Sequence, residues 1–116
     1  MADPNCLFCR IVAGEVPARL VHRDDLVVAF HDVNPQAPLH VLVLPVAHIA
    51  SAVDLTEADA PLLGRLFHVA ADVAREAGVA ESGYRIVANT GRDGGQTVDH
   101  LHFHVLGGRP FTWPPG

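Results

Sequence analysis

Histidine occupies every second position of the segment DHLHFHVLGG, residues 99–108, at His100, His102 and His104. In a β-strand, alternate residues share a face and lie roughly 6.6 Å apart along it. The spacing therefore predicts a row of three imidazoles, with Leu101, Phe103 and Val105 turned into the core. Three chemistries fit such a row. A polar, solvated sheet face is one, although three histidines in strict alternation are a costly way to make it. A metal site is the second, because imidazole suits zinc, copper, iron and nickel. The third is catalysis by imidazole as nucleophile and acid–base, which its reference pKa of about 6.5 permits near neutral pH.

The loop just upstream favours the third. NTGRDGGQT, Asn89 to Thr97, offers Gly91, Gly94 and Gly95 and then the side chains of Gln96 and Thr97. Glycine-rich backbone lets N–H groups converge on an anion, and a hydroxyl beside it can donate as well. Joined directly to the histidine row, the loop reads as a phosphate pocket with imidazole over it. A site that only held metal would not need the loop.

The elements that must position these groups follow from pattern. LFCRIVAG, residues 7–14, predicts a short helix stopped by Gly14. ARLVHRDD and LVVAFHD read as two strands joined at Asp24–Asp25, and LHVLVLP as a third, with His40, Leu42 and Leu44 on one face. One long helix is expected from Thr56 or Asp59 to Ala77, with Leu63, Leu66, Phe67, Ala70, Val73, Ala74 and Ala77 as its apolar stripe and Gly78 as its C-terminal cap. YRIVAN and VDHLHFHVL supply two more strands. No crossover helix separates the first three strands, so the expected fold class is α+β: about five strands, mainly antiparallel, with one long helix and a short N-terminal one.

A chain of 116 residues makes one domain, taken as residues 1–116 with 105–116 as a C-terminal tail. A net charge of −5 argues against non-specific binding to nucleic acid or to an anionic membrane. Apolar runs such as VLVLPVA are too short to span a bilayer. The first residues lack a basic start followed by a long apolar run, so no secretion signal is expected and the expected location is cytoplasmic. A reducing compartment argues against a disulfide between Cys6 and Cys9.

HLHFHVL is His-φ-His-φ-His-φ-φ, with φ apolar, and it resembles the signature of the histidine triad (HIT) superfamily. The likeness extends to AFHDVNPQAPLHVLVLP, similar to that family's ribose-contacting segment, and to LFCRIVAGEVPA near the start. DGGQTVDHLHFHVLGGRPFTWPPG resembles the C-terminus of the Hint branch. The Fhit branch lacks the Trp-Pro-Pro-Gly ending, and the galactose-1-phosphate uridylyltransferase branch replaces the third histidine with glutamine.

The Hint resemblance implies a homodimeric hydrolase of purine nucleoside 5′-phosphoramidates that also cleaves acyl-adenylates. It implies His102 as the nucleophile, with the His100 carbonyl holding its tautomer, and His104 and His40 on the phosphoryl oxygens. Thr97, in a place usually held by serine, would help protonate the departing amine. Asn89, Gly95 and Gln96 fall at phosphate-contacting positions and Asp32 at the ribose position. Leu7, Phe8, Ile11, Val16, Phe30 and Val33 match the walls around the purine; for Ile11 and Val16, plain core packing is an equal reading. Trp113 resembles a tryptophan that crosses the dimer into the partner's leaving-group pocket. His22, His31 and His68 have no motif partner. Asp99 departs from the branch, which usually has an uncharged residue there.

Two thiolates spaced as Cys6-x-x-Cys9 commonly hold half of a tetrahedral zinc site; two buried thiols acting as small hydrophobes are the alternative. The resemblance to a zinc-carrying bacterial subset implies that His48 and His100 complete the site. The zinc would be structural, and the triad's chemistry needs no cofactor. Two other functions stay open at this point: a dinucleoside polyphosphate hydrolase of the Fhit type, and a non-catalytic nucleotide- or zinc-binding regulatory protein.

Overall fold

A computed structural model describes residues 2–116. Its centre is one sheet of five strands, all paired antiparallel: β1 (Leu20–Arg23), β2 (Val27–His31), β3 (Leu39–Pro45), β4 (Tyr84–Val87) and β5 (Phe103–Gly107). Their spatial order is β1-β2-β3-β5-β4, so β3, with His40, and β5, with His104, lie inward from the edges. The turn between β1 and β2 is built by Asp24, whose Oδ1 accepts from the N–H groups of Leu26 and Val27.

Period-two alternation divides the core in two. Val27, Ala29, Val41, Val43, Leu101, Phe103 and Val105 face helix α2 (Ala60–Glu76). Val28, Phe30, Leu42 and Leu44 face the short helix α1 (Leu7–Val12), with Cys6, Phe8 and Cys9. The imidazoles lie on this second side.

The two expected starts of the long helix are both used. Thr56 and Asp59 form a capping box around a single 3₁₀ turn, Glu57–Asp59, and Pro61 then sits in the first turn of α2. At the other end Gly78 has φ +78, and Val79 N–H donates to the Ala74 carbonyl. The buried stripe is rotated from the expected one: Leu66, Val69, Ala70, Val73 and Ala74 are buried, whereas Ala77 is exposed and Phe67 is 52% exposed. Val69 takes the inward position, and the half-exposed Phe67 ring packs on Phe103 with ring centres 4.8 Å apart.

The last strand is shorter than VDHLHFHVL predicts, because the backbone before Phe103 bonds elsewhere. Leu101 N–H donates to the Ile49 carbonyl and His100 N–H to the Val98 carbonyl. The alternation of faces nonetheless persists through this hook, with Leu101 on the α2 side and His100 and His102 near Phe8 on the other. Residues 105–107 belong to β5, so the tail proper starts at Gly108. No helix among the described residues is long and apolar enough to cross a membrane.

Candidate active site

The face of the sheet toward α1 is incompletely covered, and the gap is a cleft of about 400 Å³. Its apolar wall includes Leu7, Phe8 and Ile11 from α1, Val16 from the loop after it, and Phe30 and Leu42 from the sheet. Asp32, Thr97, His102 and His104 supply polar groups at its rim and floor. A mostly apolar pocket with a few convergent polar groups is the usual form of a small-molecule site.

Backbone carbonyls fix the proton on two of the three triad imidazoles. His102 Nδ1 lies 2.6 Å from the His100 carbonyl, which can only accept, so Nδ1 carries the proton and Nε2 keeps its lone pair. His100 Nε2 likewise donates to the Pro45 carbonyl at 2.8 Å, leaving its Nδ1 as an acceptor. His104 meets His40 through its Nδ1, 2.8 Å from His40 Nε2. The His102 and His104 ring centres are 5.0 Å apart.

Burial holds all of these rings neutral. It pushes the pKa of His102 down, against the opposing pull of the His100 carbonyl and Asp32. His40 is lowered by burial too, with Asp32 opposing. His104 is pushed down to about 4, by burial first and then by His102 and His40. A neutral buried imidazole with a free Nε2 is a nucleophile at ordinary pH without prior proton loss.

A second cluster lies behind the first. Cys6 Sγ is 3.4 Å from His100 Nδ1, and Cys9 Sγ is 3.3 Å from His48 Nδ1 and 3.5 Å from His100 Nδ1. The four donor atoms lie within 4.8 Å of one another. Cys6 takes this place because it is the N-cap of α1, its sulfur accepting from Cys9 N–H. His100, 0% exposed, is pinned from behind by Pro45, so its free nitrogen points at both sulfurs. Burial pushes the Cys6 thiol up. The chemistry of this donor set, two thiols and two imidazole nitrogens, suits tetrahedral zinc.

The structure treats the remaining sequence candidates unevenly. Leu7, Phe8, Ile11, Val16, Phe30 and Val33 all line the cleft, Val33 from a loop tip where it is 99% exposed. Ile11 also packs against the smaller core, so its two readings coexist. Asn89, Gly95 and Gln96 do not line it. The Gly95 N–H donates to the Arg92 carbonyl, and the Gln96 amide braces the loop through the Ala50 and Val98 carbonyls. Gln96 Oε1 also accepts from Gly91 N–H, so the glycine loop satisfies these donors internally. His40 is buried outside the cleft lining, with both ring nitrogens engaged inside the protein. Trp113 is 84% exposed.

Pattern reading missed Pro17, Ala18, His31 and Val98, which also line the cleft. Their adjacency to Val16, Asp32 and Thr97 was the only available signal. His22 and His68 lie away from the cleft, paired with Asp24 and Asp72.

Residues 13–111 match the HIT domain family. The purine nucleoside phosphoramidase of Escherichia coli K12 is 47% identical over 104 residues, covering 90% of this chain and 87% of that protein. An uncharacterised HIT-like protein of Synechocystis sp. is 49% identical over 112 residues, 97% of each chain. The crystal structure of a HIT family hydrolase from Legionella pneumophila superposes with a TM-score of 0.95 at 48% identity, covering 97% of this chain and all of that one. A histidine triad protein from Clostridium difficile gives a TM-score of 0.93 at 40% identity, over 97% of each chain. With the triad geometry, these likenesses establish that the chain belongs to the HIT family.

Proposed function

We propose that this protein is a nucleotide hydrolase that cleaves the P–N bond of purine nucleoside 5′-phosphoramidates, and the P–O bond to the acyl group of acyl-adenylates by the same attack, through a nucleotidyl-histidine intermediate on His102. The observation that carries this reading is the fixed tautomer of His102: Nδ1–H is held by the His100 carbonyl, and the Nε2 lone pair is left for attack. The 47% identical phosphoramidase supports the P–N specificity.

In the proposed reaction His102 Nε2 forms a bond to the α-phosphorus as the P–N bond breaks and the amine leaves with a proton. The imidazole becomes cationic as it attacks, and the His100 carbonyl and Asp32 favour that charge. Water then displaces His102 from phosphorus, gives up a proton to solvent, and the ring departs neutral. An amine leaves poorly unless protonated, and Thr97, at the cleft, offers a hydroxyl that can relay a proton from solvent to the leaving nitrogen. Asp32 at the rim would take the ribose hydroxyls, and Phe8, Phe30 and Leu7 would enclose the purine. Asn89, Gly95 and Gln96 would meet phosphate only after the glycine loop rearranges, given its internal bonds.

Zinc, where bound, would be held by Cys6, Cys9, His48 and His100 and would supply a fixed local structure. The chain's own residues carry the proposed reaction. A cytoplasmic location would keep both thiols reduced and able to hold the ion. A homodimer agrees with the exposed Trp113 and Phe67, which a partner copy would cover, Trp113 reaching that copy's leaving-group pocket.

Turnover of adenosine 5′-phosphoramidate and diadenosine tetraphosphate by wild type and His102→Ala tests the reading. We expect cleavage of the phosphoramidate and a loss of about 10⁴-fold or more in His102→Ala, the scale seen when a nucleophile is removed. Full activity in His102→Ala, or no phosphoramidate cleavage by wild type, refutes it.

A further inference from the structure

The loop between β2 and β3 is tied to the His40 ring by a bond with only one polarity. Gln36 N–H lies 3.0 Å from His40 Nδ1. A backbone N–H can only donate, so His40 Nδ1 must be unprotonated and the proton of the neutral ring must sit on Nε2. That nitrogen is 2.8 Å from His104 Nδ1 and 3.4 Å from Asp32 Oδ2. The shorter contact takes the proton as donor, so His104 Nδ1 accepts and the His104 proton must sit on Nε2. His104 lines the cleft, and no group among the described residues bonds its Nε2.

The loop is built to hold this direction. Asp32 N–H donates to the His40 carbonyl at 3.0 Å, and Asn34 N–H to Asp32 Oδ1 at 2.8 Å. The Gln36 amide returns to the Asn34 carbonyl at 2.9 Å. From the tail, Arg109 donates to the Gln36 carbonyl at 3.1 Å while lying over the Phe111 ring. Gly108 backs the same loop, for a Cβ there would stand 2.8 Å from Pro38 Cβ.

We propose that the Gln36 N–H sets a chain of tautomers, Gln36 to His40 to His104, that fixes His104 as an Nε2–H donor aimed at the phosphoryl oxygens, with His40 a positioning residue that never touches substrate. The proposal deepens the phosphoramidase reading, since the phosphoryl group is what the donor meets, but the tautomers exist without substrate. Within the triad, His102 and His104 then present opposite atoms to the same phosphorus centre, a lone pair and an N–H. A fixed donor needs no reorganisation as charge grows on the oxygens.

Long-range ¹H–¹⁵N spectra of the ¹⁵N-labelled protein at pH 7.5 read the tautomers directly. We expect His40 and His104 each to show a pyridine-type Nδ1 and a pyrrole-type Nε2, and His102 the reverse. A pyrrole-type Nδ1 on His104, or two averaged nitrogens there, overturns the proposal, and this measurement needs no variant. Gln36→Pro then deletes the N–H, and Gln36→Ala keeps it while deleting the side chain. Gln36→Pro should scramble the His104 pattern and lower kcat for adenosine 5′-phosphoramidate about ten- to a hundredfold, the usual effect of losing a group that orients a site histidine. Gln36→Ala should keep the His104 pattern, and the rate it loses with the side-chain bond to the Asn34 carbonyl should stay well below the loss in Gln36→Pro. An unchanged His104 pattern in folded Gln36→Pro, or an equal change in Gln36→Ala, refutes the chain. A wild type with the expected spectrum but no phosphoramidate turnover would refute the assigned reaction and leave the tautomer chain standing.

Discussion

Removing zinc should loosen the protein by an amount that the donor geometry and linkage together set. Zn–S bonds of about 2.3 Å and Zn–N bonds of about 2.0–2.1 Å around a tetrahedral angle give an S···N edge of about 3.6 Å. The three S···N separations, 3.4, 3.3 and 3.5 Å, already lie close to that edge, so an ion enters with little rearrangement. The stabilisation is then the binding free energy available at the working concentration. At free zinc about a hundred times Kd, linkage gives about 2.7 kcal/mol, or a rise in Tm of roughly 10 °C for a chain of this size. The assay is thermal unfolding of zinc-loaded and chelator-treated wild type and Cys9→Ser, with zinc quantified in each. Cys9→Ser removes the sulfur that faces both imidazoles, so it should lose stoichiometric zinc and the chelator-sensitive part of Tm together. A wild-type Tm indifferent to the chelator, or stoichiometric zinc in both Cys6→Ser and Cys9→Ser, would refute the four-donor site.

Acid should destabilise the fold before its carboxylates are protonated. His104 is held down to about 4 and His40 and His102 are also lowered, so between about pH 6.5 and 4 the unfolded chain binds more protons than the native one. Stability is therefore full above pH 6.5 and falls through that window; urea midpoints at pH 7.5, 6 and 5 should decline, and more gently in His104→Gln. Gly94→Ala should cost about 1–3 kcal/mol in thermal melts, because its Cβ would stand 2.3 Å from the Thr90 backbone oxygen. Gly64→Ala, on an exposed turn of α2 with open space around the Cβ, should instead gain about 0.5–1 kcal/mol; a loss there would mean another molecule packs on that face. Trp113→Ala should shift preference among phosphoramidates of different amines while leaving the fold intact, and unchanged kcat/KM ratios would count against a tail that reaches the partner's cleft.

The site was legible in the sequence wherever chemistry and period coincide. His40, Leu42 and Leu44 share a face of β3 because a strand has no alternative, and β3 spans Leu39–Pro45 as the run of residues requires. The helix stripe was harder to place. A period of 3.6 leaves the azimuth loose by a residue, so Val69 is buried while Phe67 stays half exposed with its ring against Phe103. The glycine loop could not be placed from the sequence for a different reason. Glycines that permit N–H groups to converge on an anion equally permit them to turn back on their own carbonyls, and Gln96 tips this loop toward the second state. Gln36 was beyond reach, because its part is played by a backbone N–H that every residue but proline has.

His100 joins the two clusters, and that junction would give a zinc ion a reason to sit near a reaction that does not use it. Its ring nitrogens are shared between the Pro45 carbonyl and the two sulfurs, while its carbonyl holds Nδ1–H of His102. The segment that carries it lies outside the β5 ladder, with Leu101 N–H bonded to Ile49 rather than to a neighbouring strand. Backbone without a ladder has few bonds to fix a carbonyl to within the 10–20° that a productive imidazole requires. Two sulfurs from the start of the chain and His48 from the loop after β3 would, through one ion, supply the missing restraint. On this argument Cys9→Ser should lower kcat beyond any change in KM, in step with the averaging of the His102 ¹⁵N pattern. A metal-free variant that kept both the wild-type pattern and the wild-type kcat would show that the hydrogen bond from His102 to the His100 carbonyl holds by itself.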